Sequence, residues 1–273
     1  MNKMKKIHVS KIALYAFLVI VGLVSVIPFY WILAGATNKS VEIVRGRILP
    51  GFSLLDNWKA LYNMIPILSG LFNSLRNAII GTVGSLFICS MAGYGFHVYR
   101  SKAKDRVMSV LLLSMMIPFA AIMVPLFRMA STLRLLNTTA GIVLPSLATA
   151  FLIFFFRQCS QSFPMEIVQA ARVDGVGEFG IYMRVYFPVM APTFAAAGIV
   201  TFMGAWNNYL WPLIVLQKET SRTLPILIAQ ITQGYVIDYG LLALAITVTT
   251  IPTMLVFITQ QHRFVAGILG AVK

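Results

Sequence analysis

The stretch "IALYAFLVIVGLVSVIPFYWILAGAT", residues 12–37, contains no charged side chain. A helix needs about 20 residues to cross the ~30 Å hydrocarbon core of a bilayer, and this run exceeds that. Its composition is shared by the rest of the chain: 59% of the 273 residues are hydrophobic and 11% are charged, against roughly 25% charged in a soluble domain. Further apolar runs occupy 75–99, 107–127, 140–156, 189–216 and 239–261. The fourth is short and the fifth contains Pro192 and Pro212, so their ends are soft. The expected fold is an all-α membrane protein, one transmembrane domain over 1–273 with six transmembrane helices.

An even number of spans places both termini on one side, and Lys and Arg choose the side. Grouping the N-terminus, 100–106, 157–187 and the C-terminus collects thirteen basic residues; the opposite loops (38–72, 128–139, 217–238) hold eight. Arg100, Lys102, Lys104 and Arg106 form the densest cluster. Both termini are therefore expected to be cytoplasmic. Lys3, Lys5 and Lys6 before an apolar run ending in "AGA" imitate a signal peptide, but a signal core is about 7–15 residues, so an uncleaved first span is expected.

The net charge of +14 is spread along span flanks rather than gathered in a patch, which points to membrane topology and not to nucleic acid. Cys89 and Cys159 lack metal-ligand spacing, and His8, His97 and His262 are scattered near span ends. Walker A, HExxH, CxxC and GxSxG patterns do not occur, so no catalytic or metal residue is expected. Each of the eight acidic residues lies in a loop or at a span edge, unlike the intramembrane carboxylates of proton-coupled carriers.

Two connections are long. Residues 38–65 carry turn signals at Pro50-Gly51 and a helix start at Asp56, consistent with either a small folded external cap or a linker. Residues 157–187 exceed the ~2–8 residues usual between helices. There, "EIVQAARVDG" (166–175) follows Ser162 and Pro164 and ends at Gly175, the marks of a short helix with Glu166 in its first turn. At about 100° per residue, Glu166, Gln169 and Arg172 share one face, Ile167, Val168 and Ala171 the other, with Ala170 between. Spacing alone leaves open whether the small apolar face docks a partner or packs on the protein's own spans. Gly175, Gly177 and Gly180 spell GxGxxG, but a helix stands where the dinucleotide fingerprint requires a strand.

The spans concentrate neutral polar and aromatic groups in "GAWNNYLWP", 204–212. Trp206, Asn207, Asn208 and Tyr209 are candidates for a substrate pathway suited to a neutral hydroxylated solute, although Trp and Tyr also form interfacial belts.

The segment "SFPMEIVQAARVDGVGEFGIYMRVYFPVMAP", 162–192, resembles the EAA loop of binding-protein-dependent ABC importer permeases. The matching positions are Pro164, Glu166, Ala170, Ala171, Asp174, Gly175, Phe179 and Pro188, with Phe187 where Leu is more usual. "AGYGFHVYR" (92–100), "LLNTTAGIVLP" (135–145), "WNNYLWPLIVL" (206–216) and the tail "RFVAGILGAVK" (263–273) are similar to the carbohydrate-uptake branch, in particular its maltose-type second permease subunit.

The resemblance implies a multi-pass subunit of a bacterial or archaeal cytoplasmic membrane, working within membrane lipid. It would form half of the pore with a second permease subunit, served by two ATPase subunits and an extracytoplasmic sugar-binding protein. The 157–187 loop would be a cytoplasmic coupling helix docked on the ATPase, with Glu166, Ala170, Ala171, Asp174 and Gly175 as its coupling residues. Gly267, Gly270 and Lys273 in the tail would approach the ATPase dimer. No cofactor is expected on this chain, since ATP and Mg2+ would sit on the partner, which makes the chain itself a non-enzyme. The cargo implied is a sugar, in particular an oligosaccharide; the alternatives are another neutral or zwitterionic solute or, from a different class, a stand-alone secondary transporter.

Overall fold

The computed structural model describes the backbone of residues 2–271 and the side chains of 11–261. Among the described residues every regular element is helical. The order opens with α1 (Asn2–Ala36), α2 (Ser40–Val44), α3 (Leu54–Met64), α4 (Ile67–Val98), α5 (Lys102–Ser114) and α6 (Phe119–Thr132). Next come α7 (Thr139–Val143), α8 (Ala150–Ser160), α9 (Met165–Val173) and α10 (Glu178–Ile181). A π-turn (Tyr182–Tyr186) leads into α11 (Phe187–Val189), followed by α12 (Ala191–Trp206), α13 (Leu210–Val215), α14 (Leu224–Ile231) and α15 (Tyr239–Ala271).

Three helical stretches, Lys11–Ala36, Ile67–Val98 and Tyr239–Gln261, are each long and apolar enough to cross a membrane. Within the first, none of the most apolar window is buried. Such a surface is compatible with lipid and not with water. Three further candidates are bent pairs: α5 with α6 at 99°, Thr139–Ser146 with α8 at 47°, and Glu178–Val189 with Ala191–Val215 at 81°.

The continuous runs expected over 107–127, 140–156 and 189–216 are thus broken, and each break has a local cause. Pro118 is the N-cap of α6 with extended backbone; it offers no N–H and turns Ile117 away from helical geometry. Thr149 caps α8 by accepting from the Leu152 N–H at 3.4 Å. Pro192 sits in the first turn of α12, just after the non-helical Met190. The second long helix, α4, begins at Ile67, eight residues ahead of the expected 75.

The chain divides into two compact units, Met1–Ile67 with Ile228–Ile251, and Leu68–Leu227 with Pro252–Lys273. In the first, residues 38–65 are folded and not a bare linker. Buried Asn38 donates from Nδ2 to the carbonyls of Ala34 and Leu49, both at 2.9 Å. Buried Asn57 donates to the carbonyls of Ala36 and Asn38, both at 2.9 Å, and the Ser53 N–H donates to the Thr37 carbonyl at 2.8 Å. These amides close the carbonyls freed at the end of α1, where a helix has no partners of its own.

In the second unit, α4 crosses α8 closely at Gly93, where a Cβ would lie 2.5 Å from the Phe156 Cβ and 2.8 Å from the Arg157 nitrogen. The main core gathers there around Phe156, Tyr94, Tyr182, Tyr186 and Phe194. A smaller core joins α6, α7 and α13 around Trp211, whose Nε1 donates to the Gly141 carbonyl at 3.0 Å.

Replacing Asn57 with Leu strands two buried carbonyls, a loss of about 1–3 kcal/mol each at most. The melting temperature of the detergent-solubilised chain is expected to fall by several degrees, at about 2–4 °C per kcal/mol for a chain of this size, with an unchanged helical circular-dichroism spectrum.

Candidate functional site

Helix α9 runs from Met165 to Val173 with Pro164 as its N-cap, within a residue or two of the start and stop marked in the sequence. Pro is suited to this end because no intrahelical N–H bond is lost. At the other end Gly175 adopts φ +76°. Its N–H donates to the Arg172 carbonyl and the Val176 N–H to the Ala171 carbonyl, both at 3.0 Å. This paired reversal closes the last carbonyls of the helix, and only glycine enters the left-handed region without strain. The three glycines of the GxGxxG pattern are accordingly divided: Gly175 ends α9, Gly177 caps α10 and Gly180 lies within it.

The faces of α9 separate cleanly. Val168 is fully buried and Ala171 is 9% exposed, both in the main core. Glu166, Ile167, Gln169, Ala170, Arg172, Val173 and Asp174 are exposed, Val173 at 88%. The alanine pair therefore splits, Ala171 turning inward and Ala170 outward. Phe179, on α10, is also exposed. The open face combines a carboxylate, a small residue and apolar side chains, while the closed face is packed against the chain itself.

Polar contacts orient this segment at its edges. Arg172 Nε donates to Glu178 Oε1 at 2.7 Å, and its guanidinium lies 5.6 Å from the Tyr99 ring centre. Lys104 Nζ approaches the same ring at 4.9 Å, and Arg157 pairs with Asp105. The Arg172–Glu178 pair is exposed and contributes orientation more than stability.

Behind α9 the π-turn continues α10, in place of the loop expected as far as 187. Its wider winding sets Tyr182 and Tyr186 side by side, ring centres 5.7 Å apart and 23° from parallel, and Tyr94 packs against Tyr186 at 4.8 Å. Ser90 and Ser160 donate to their own helix carbonyls, Phe87 and Phe156. The tyrosine hydroxyls are thereby left to donate to them, Tyr182 to Ser90 and Tyr186 to Ser160, both at 2.7 Å. This core joins α9 and α10 to α4 and α8, and close-packed side chains absorb little displacement by compression.

A second feature is a cavity of about 250 Å³ between α4, the α7–α8 stretch and α12. Its polar lining is Asn77, Ser85, Ser146, Thr149, Thr201 and Asn208, with no ionisable side chain among the lining residues. Of the four pathway candidates, Asn208 lines it. Trp206 is buried and stacked on Phe202 at 5.9 Å, Asn207 is exposed, and Tyr209 packs beside the Trp211 core. Asn77, Gly81 and Ser85 were missed, although their spacing of four residues marks one helix face. Gly267 and Gly270 fall in the backbone of α15; their surroundings, and Lys273 entirely, lie outside the described residues.

Residues 90–269 match the family model described as "Binding-protein-dependent transport system inner membrane component". The chain is 43% identical over 259 residues to the lactose transport system permease protein LacG of Rhizobium radiobacter, covering 95% of each chain. It is 35% identical over 271 residues to the arabinooligosaccharides transport system permease protein AraQ of Bacillus subtilis, covering 97% of this chain and 96% of that one. In fold it is similar to a chain of a bacterial ABC transporter involved in import of the acidic polysaccharide alginate, with a TM-score of 0.83 at 20% identity over 97% of this chain and 99% of that one.

The two faces of α9 are separable by one methylene-rich substitution at each alanine. Ala171→Leu overfills the core and is expected to destabilise by about 1–3 kcal/mol. Ala170→Leu is expected to leave the melting temperature unchanged, within ~0.5 kcal/mol. Thermal unfolding of the two purified variants checks the contrast.

Proposed function

Because the chain belongs to the binding-protein-dependent transport system inner membrane component family, we propose that it is the permease subunit of an ATP-driven importer of sugars, in which it forms half of the translocation path. The observation that carries the coupling role is the two-faced α9: one face is locked into the tyrosine core, and the other leaves Glu166, Ala170 and Val173 open. A partner seated on the open face moves the closed face with it.

In this proposal three straight helices and three bent pairs make six spans, both termini and α9 are cytoplasmic, and residues 38–65 face outward. The excess of Lys and Arg on the grouped loops supports that orientation. The partner on α9 is a cytoplasmic ATPase, which carries ATP and Mg2+. Ala170 lets it approach the helix backbone, Glu166 offers a charge at the rim, and Asp174-Gly175 sets the exit angle. A second permease subunit completes the path, two ATPases drive it, and an external sugar-binding protein delivers cargo. Closure of the ATPase pair pulls α9 as a rigid body and reorients the spans, a domain-rocking mechanism. The chain performs no chemistry itself. Sugar as the cargo rests on relatives named for lactose and arabino-oligosaccharides.

Ala170→Arg places a bulky cation on the open face without touching the core, and Gly175→Val strains the left-handed exit. Both are expected to reduce receptor-stimulated ATPase activity and sugar uptake about tenfold or more, equivalent to ~1.4 kcal/mol or more of docking free energy, while the chain inserts in the membrane at normal abundance. Uptake at the unmodified rate in Ala170→Arg removes α9 as the docking element.

A further inference from the structure

The cavity between α4, α7–α8 and α12 carries a pattern of hydrogen-bond capacity that identifies a class of solute. Asn77 is 5% exposed, lines the cavity, and its Oδ1 is buried with no hydrogen-bond partner. An unmet buried acceptor is unfavourable unless something fills it. Ser85 Oγ donates to the Ser146 carbonyl at 2.8 Å and Ser146 Oγ to the Val143 carbonyl at 2.9 Å. Both hydroxyl protons are thus consumed by backbone, and the serine oxygens keep only accepting capacity.

The lining is therefore rich in acceptors. Asn77 and Asn208 supply carboxamide donors, Thr149 and Thr201 supply hydroxyls, and no Lys, Arg or His is among the lining residues. Hydroxyl groups meet such a surface well, since each brings a proton to an oxygen. A carboxylate or phosphate meets it badly, because an anion needs donors or cations and would lose its hydration without replacement. Between the polar groups stand Ile142, Val143, Leu152 and Val200, apolar surface for the C–H faces of a sugar ring. The volume of about 250 Å³ is on the scale of one such ring.

We propose that this cavity is a contact site on the translocation path for one neutral sugar unit, in which Asn77 Oδ1 accepts a hydrogen bond from a sugar hydroxyl. The site would discriminate against acidic sugars. This rests on the chain forming half of a sugar path, as proposed above.

The test uses the complete importer, with its receptor, partner permease and ATPases, in proteoliposomes. Labelled lactose and a neutral arabino-oligosaccharide serve as neutral probes, and a uronic-acid oligosaccharide as the acidic one. Asn77→Leu and Thr201→Val are expected to lower sugar moved per ATP hydrolysed about fivefold, the loss of one or two hydrogen bonds. Receptor-stimulated ATPase should stay within about twofold of the unmodified complex, which a structural defect would not allow. Asn77→Ala serves where Asn77→Leu fails to assemble. Variants that move sugar with the unmodified stoichiometry overturn the site while leaving the importer intact. An unmodified complex that imports the acidic probe in preference to the neutral ones overturns the discrimination. One that imports none of the three defeats the sugar-path premise instead.

Discussion

Hydrocarbon offers no hydrogen bonds, and a chain that presents apolar side chains to it along most of its length must close its polar groups internally. Helices do this for the backbone. Side chains finish the task where helices end or bend: Asn38 and Asn57 take up carbonyls at the end of α1, and Trp211 reaches the Gly141 carbonyl. Tyr182 and Tyr186 bond serines on α4 and α8. Asn77 is one of seven described side chains whose buried polar atom has no partner, and it is the one among them that lines the cavity.

The same constraint accounts for the mechanics around α9. Helix α9 is fixed toward its own protein and open on its other side. Val168 and Ala171 provide the first property by entering an aromatic core, and the exposed face provides the second. The π-turn of 182–186 adds the extra winding that stacks the two tyrosines and keeps α10 continuous with α11. Such turns are rare and frequently occur at functional sites. Here it follows α9 and α10 in the chain and leads into α11 and α12.

Much of this was legible in the residues. Pro164 and Gly175 marked the ends of α9 because each answers a steric requirement of a helix terminus, one by lacking an unneeded N–H and the other by tolerating positive φ. The bend before α6 was also written in the chain, since Pro118 interrupts an otherwise apolar run, yet hydropathy sums over a window and does not register one missing N–H. The stripe Asn77, Gly81, Ser85 was equally visible at helical spacing, but the denser aromatic cluster at 204–212 drew the substrate assignment. In the structure Trp206 is buried and Tyr209 packs beside the Trp211 core.

Composition and charge by themselves determined that the chain is helical and membrane-embedded, because burial of backbone groups in lipid permits few alternatives and because Lys and Arg avoid hydrocarbon. Family membership was legible in the EAA loop for the same local reasons that shape it. Only the tertiary structure decided which alanine of the pair faces outward, and which polar side chains share a cavity. Those outcomes depend on packing between residues distant in sequence, as when Val168 enters the core that holds Tyr94 and Phe156, and no periodicity along one helix encodes its neighbour.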